Sequence, residues 1–201
     1  MMARIAAWWA SGPSHRTMAI LLIGAAAALL ARWAVAAPMF SQEMGFVPFD
    51  LQPRLNQGML VIQLGAARGH PLGALYGAFV MADIPVSLVL AFVTVAFWRW
   101  LHVRTPNRVY AFLTAGGVML LPIVAAMLEM TEHRAVFSLL YQRVGEAYAD
   151  AIAFTVSVHN VKVAMADLRD AVTLSFMAST AVLALLRRKL KRAPQTPPEQ
   201  T

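Results

Sequence analysis

The chain has 201 residues, 59% hydrophobic and only 13% charged, with a mean hydropathy of +0.60; an ordinary soluble domain has about a quarter of its residues charged, so that class is excluded in favour of an integral membrane protein. The net charge of +7 does not indicate nucleic acid, because Arg187, Arg188, Lys189, Lys191 and Arg192 directly follow an apolar run, where basic residues orient a helix and meet anionic headgroups. The absence of cysteine excludes disulfides, thiol nucleophiles and thiolate metal sites.

Residues 1–16 are a short mixed segment expected at the cytoplasmic interface, with Trp8 and Trp9 at headgroup level. A first span is expected over 18–37, and its small residues from Gly24 to Ala28 allow close helix packing. Ala34-Val35-Ala36 also fits the cleavage site of a secretory signal. A retained helix is the preferred reading, because the apolar run exceeds a signal core, Arg32 lies inside it and Pro38 follows the cut.

The connection 38–72 is rich in breakers, among them Pro38, Pro48, Pro53, Gly58, Gly69 and Pro71. Within it Met59-Leu60-Val61-Ile62-Gln63-Leu64 is too short to span and reads as a re-entrant or interfacial segment. A second span over 73–98 carries Asp83-Ile84-Pro85 and leaves through Trp98 and Trp100. A third over 109–130 begins with about twenty uncharged residues, is expected to kink at Pro122, and closes on Glu129, Glu132 and His133.

Residues 134–165 show Val136, Leu140 and Val144 at helical spacing against Arg134, Gln142 and Arg143, which predicts a separate helix lying on the surface. A fourth span over 166–186 opens with Asp167, Arg169 and Asp170, and Pro194, Pro197 and Pro198 make 193–201 a disordered cytoplasmic tail. Residues 17–192 are thus expected to form a single membrane domain.

Basic residues set the orientation. Arg4, Arg16, Arg99, Arg104, Arg108 and the tail cluster fall on one side, whereas Arg54, Arg68, Arg134, Arg143 and Lys162 are spread over longer loops on the other. Positive-inside reasoning then places both termini in the cytoplasm of an inner (plasma) membrane. Four spans with short inner and long outer connections give an all-α, up-down transmembrane four-helix bundle with an added surface helix.

Four spans each carry an ionisable group. At 1.5 Å per residue, Arg32, Asp83 and Asp170 lie about 21, 22 and 24 Å from the inner ends of their helices, and Glu129 about 30 Å. Such groups are costly facing lipid and are expected to face inward and pair. The expected polar cluster is Arg32, Asp83, Glu129, Glu132, His133, Lys162, Asp167 and Asp170. One reading is a register-holding ion network, with Arg32 on Asp83 or Asp170 and Glu129 on a helix end or Lys162. The other is an outward-facing acidic pocket around Asp83 and Glu129 of a small membrane enzyme or a lipid- or ion-handling protein. Glu129, His133 and His159 are weak metal ligands by this reading, since a di-iron bundle needs Glu-x-x-His from two helices plus two more Glu. No cofactor is expected; the partners are the bilayer and a second copy or another membrane subunit.

Asp-x-Pro in the second span, Glu129 with Thr131-Glu132-His133 closing the third, and Lys162 before the fourth resemble a loosely defined group of bacterial four-helix membrane proteins of unknown function. The likeness covers residues 40–187. That group tends to close its third helix with Glu-Asn, and His133 stands at the Asn position here. The resemblance implies a fold and no activity.

Overall fold

The computed structural model describes residues 11–141 and 145–192, which are mostly helical with no strand among them. The expectations for Trp8 and Trp9, for Gln142–Val144 and for the tail 193–201 lie outside the described residues. Helix α1 is the 30-residue His15–Met44. It starts where the Ser14 side chain accepts from the Thr17 backbone N–H at 3.0 Å, an N-cap. Pro38 has no N–H to donate, and the register widens just before it in a π-helical turn at Arg32–Ala36. Ala34-Val35-Ala36 therefore lies within a continuous helix.

Helix α2 is Gln57–Gly69, capped by Asn56; at about 20 Å it is too short to cross a bilayer. Helix α3, Gly73–Arg104, runs about 48 Å unbroken through Pro85. Helix α4, Arg108–Ala115, starts at Asn107, which accepts from the Tyr110 N–H at 2.6 Å. Helix α5 is Leu121–Tyr141 and α6 is Glu146–Arg192. Helices α1, α3 and the Ala147–Arg187 part of α6 are long and apolar enough to cross a membrane; α4 with the stretch Val118–Tyr141 makes a fourth if that bent pair counts as one. Exposed Ile20, Ile23, Leu30, Phe92, Leu174 and Leu185 give these helices apolar outer faces, as lipid requires.

Two expectations about local structure are corrected. The third apolar stretch bends by 75° at Gly116-Gly117, where Gly117 has φ +76°, rather than at Pro122. Pro122 occupies the first turn of α5, where a missing N–H costs nothing. The separate surface helix over 134–165 does not exist either. Residues 134–141 complete α5, where Val136, Leu139 and Leu140 are buried. Residues 146–165 are the first half of α6, which no Gly or Pro interrupts and which reaches about 70 Å.

Helix α5 packs mainly on α3 and α6, and α1 packs on α3 and reaches α5 through Arg32. The chain ends of these helices meet in alternation: His15 of α1 lies against Trp100 and Arg104 of α3, and Trp98 of α3 against Phe176 and Thr173 of α6. Two apolar clusters result. The larger joins Phe40, Phe49, Leu60, Leu64, Tyr76, Val80, Val136, Leu139 and Ile152, so α2 and the preceding loop close one end. Arg68 of α2 ties that end down by donating to the Leu139 and Leu140 carbonyls at the C-terminus of α5, where a cation suits the helix dipole. The smaller cluster, Trp98, Leu101, Tyr110 and Phe176, fills the other end.

Candidate functional site

Between the two apolar clusters lies a polar layer, and helical phase divides it in two. Successive residues of α5 are 100° apart, so Glu129 and His133 fall about 40° from each other on the face toward α1 and α3. Glu132 falls about 60° from Glu129 in the opposite sense, toward α6.

In the first group Arg32, at the start of the π-helical turn of α1, places Nη2 2.9 Å from Asp83 Oδ2 and 3.3 Å from Glu129 Oε1. His133 Nε2 lies 3.2 Å from the same Asp83 oxygen. The other ring nitrogen, Nδ1, is 2.6 Å from the backbone carbonyl of Glu129, which can only accept, so Nδ1 carries a proton. Asp83 and His133 are buried, while Glu129 keeps 18% of its side chain exposed.

In the second group Glu132 is fully buried between two residues of α6. His159 Nδ1 is 2.5 Å from Oε1 and Lys162 Nζ is 2.5 Å from Oε2. His159 Nε2 meets the backbone carbonyl of Gln52 at 3.1 Å. Both ring nitrogens thus face oxygens, and the ring donates to both only when it carries two protons. Ile152, Thr155, His159 and Lys162 are all buried at spacings of three, four and three, a single inward stripe of α6. That stripe was available in the sequence as a partner for Glu132. The Gln52 carbonyl was not, since a loop backbone acceptor leaves no residue signature.

The loop between α1 and α2 lies over the layer. Phe49 packs on His133 with ring centroids 5.9 Å apart, its N–H is held by Tyr76 Oη at 3.3 Å, and Gln52 reaches His159. The side expected to open outward is covered here. The layer instead borders a lateral cavity of about 330 Å³ between α1 and α3, walled by Ala28, Ala31, Met39, Phe79, Ala82 and Val86, with Arg32 and Asp83 as its charged residues.

Of the eight expected cluster residues, Arg32, Asp83, Glu129 and His133 are brought together in one group and Glu132 and Lys162 in the other. Asp167 and Asp170 do not join them and are exposed. Asp170 pairs with its neighbour Arg169 at 2.8 Å, beside a separate cleft of about 350 Å³ shared with Leu22, Leu29, Leu90 and Phe97. Helical phase turns Asp167 about 140° and Asp170 about 80° from Lys162, off the inward face that Lys162 shares with the buried Phe176. Of the expected ligands, Glu129 and His133 join Asp83 in one group whose ligand atoms lie within 4.8 Å of one another; His159 belongs to the Glu132 group.

Comparison with protein-family models, curated proteins and solved structures gave no match. Any functional reading therefore rests on this layer's own chemistry.

Proposed function

We propose that the chain is a multi-pass membrane protein, an up-down four-helix bundle of a bacterial inner membrane, acting as a structural, assembly or accessory component. The His15 end of α1 and the Arg192 end of α6 would then face the cytoplasm, as positive-inside reasoning places them. One observation carries this reading: each carboxylate of the layer is met by a cation from another helix, Asp83 and Glu129 by Arg32, Glu132 by Lys162. Cross-helix pairs of this kind specify register even where desolvation cancels much of their attraction. The small-residue stretch Gly24–Ala28 offers a face for a second copy or a partner subunit.

The test is a charge swap. Arg32→Asp and Asp83→Arg singly should abolish accumulation of folded protein, and the double variant should restore part of it. Single variants that accumulate normally would refute the locking role. Reporters fused after Arg104 and after Arg192 should both read cytoplasmic; an external reading at either position would refute the orientation.

A second reading, a protein that handles a lipid or an ion, is favoured by the 330 Å³ cavity bordered by Arg32 and Asp83. An amphiphile retained by the wild type in mild detergent and lost in Val86→Trp, which fills that cavity, would support it. Equal retention by the two proteins would exclude it.

A further inference from the structure

The grouping of Asp83, Glu129 and His133 carries more than a helix lock requires. We propose that these three side chains form a binding site for one divalent cation of the zinc class. The site goes beyond the structural role, since it assigns a ligand to residues that pairing alone would explain.

Three observations converge on it. First, one nitrogen and two carboxylate oxygens from α3 and α5 lie within 4.8 Å of one another. The separation of His133 Nε2 from Asp83 Oδ2 is 3.2 Å. Metal–ligand bonds of about 2.05 Å give edges of about 2.9 Å for an octahedral and about 3.35 Å for a tetrahedral shell, and the observed spacing falls between them.

Second, His133 is held as a metal-ligating histidine is held. Its Nδ1–H donates to the Glu129 carbonyl at 2.6 Å, which fixes the tautomer and turns Nε2 toward Asp83. A hydrogen bond from the far ring nitrogen to a carbonyl or carboxylate is a near-constant companion of a ligating imidazole. With Nδ1 engaged by that carbonyl, Nε2 is the ring atom turned toward Asp83 Oδ2, and it is the atom that a metal would take.

Third, the charges fit. Two carboxylates and a neutral imidazole neutralise a dication. A borderline imidazole and two hard oxygens, in a chain without cysteine, suit Zn²⁺, Mn²⁺ or Fe²⁺ rather than a soft cation. Arg32 is the competitor: its Nη2 touches both carboxylates, and the adjoining cavity that it lines can receive the guanidinium when a metal takes its place. Glu132 is not a ligand, being engaged by His159 and Lys162 on the other face of α5.

The test uses full-length protein in mild detergent, stripped with chelator after removal of any affinity tag, and titrated with Co²⁺ as a spectroscopic stand-in for Zn²⁺. Visible d–d bands should saturate at one equivalent per chain and be displaced by Zn²⁺. Affinity should fall at least tenfold in His133→Gln and Asp83→Asn, remain unchanged in His15→Gln, and rise in Arg32→Met. If the buried substitutions prevent folding, Glu129→Gln, at the partly exposed ligand, should still fold and weaken binding. Wild-type binding no tighter than that of Glu129→Gln, or bands that persist in a folded His133→Gln protein, would overturn the site.

Discussion

Glu132→Gln is the most discriminating perturbation of the polar layer. Glu132 and His159 are completely buried and the Lys162 side chain is 8% exposed, so water cannot take over the lost contacts. At an effective dielectric constant of about 20, opposite unit charges 2.5 Å apart attract by about 7 kcal/mol. Desolvation offsets much of this, and removing one partner of a buried pair typically costs about 3–5 kcal/mol because the other charge is stranded. The new amide can still donate to a neutral His159, whose Nε2–H keeps the Gln52 carbonyl. The cost therefore falls on Lys162, and Glu132→Gln/Lys162→Met should return to within about 1 kcal/mol of wild type. Reversible unfolding in mixed micelles of increasing SDS fraction measures both variants. The single variant should shift the unfolding equilibrium by roughly two to four orders of magnitude, at about 1.4 kcal/mol per tenfold. A single variant within about 0.5 kcal/mol of wild type, the range of an ordinary surface substitution, would refute the pairing, as would a double variant no more stable than the single.

Two glycines of α3 should respond differently to alanine. A Cβ at Gly73 meets the backbone carbonyl of Ala67 in the tight α2–α3 turn, whereas one at Gly77 meets the hydroxyl end of the Tyr141 ring, an exposed side chain that can swing away. Gly73→Ala should lose about 1–3 kcal/mol by overpacking, and Gly77→Ala should be near neutral because helix propensity gains up to about 1 kcal/mol; equal costs in the same unfolding assay would contradict the turn geometry. At the α4–α5 bend, Gly117→Ala should cost about 1–2 kcal/mol because φ is +76°. Gly116→Ala, at φ −77°, should be tolerated. A stabilising Gly117→Ala would mean that the bend is not a fixed feature.

Much of the helical framework was legible in the sequence, because helix hydrogen bonds and caps are local. The apolar runs at 18–37 and 73–98 are longer than any soluble composition explains, and long helices cover both. The end of α5 and the course of α6 were not legible. A mixed amphipathic pattern at 134–165 fits a surface helix as well as two helix halves packed on each other, and only burial of Val136, Leu139 and Ile152 against neighbouring helices decides between them. Pro122 gave a false signal because a proline kinks a helix from inside it and not from its first turn.

For the site, the sequence determined which residues need partners: a charge within an apolar run has to be paired wherever the run ends up. Helical phase alone separates Glu132 from Glu129 and His133. Which partner each finds was decided only by how α1, α3, α5 and α6 rotate and slide against one another. That packing gives Arg32 two carboxylates, sends Lys162 to Glu132 instead of Glu129, and leaves Asp170 with Arg169 on an exposed face. Spacing along one helix fixes direction about its own axis; the identity of the group across the interface depends on the rotation and offset of another helix, which no local pattern encodes.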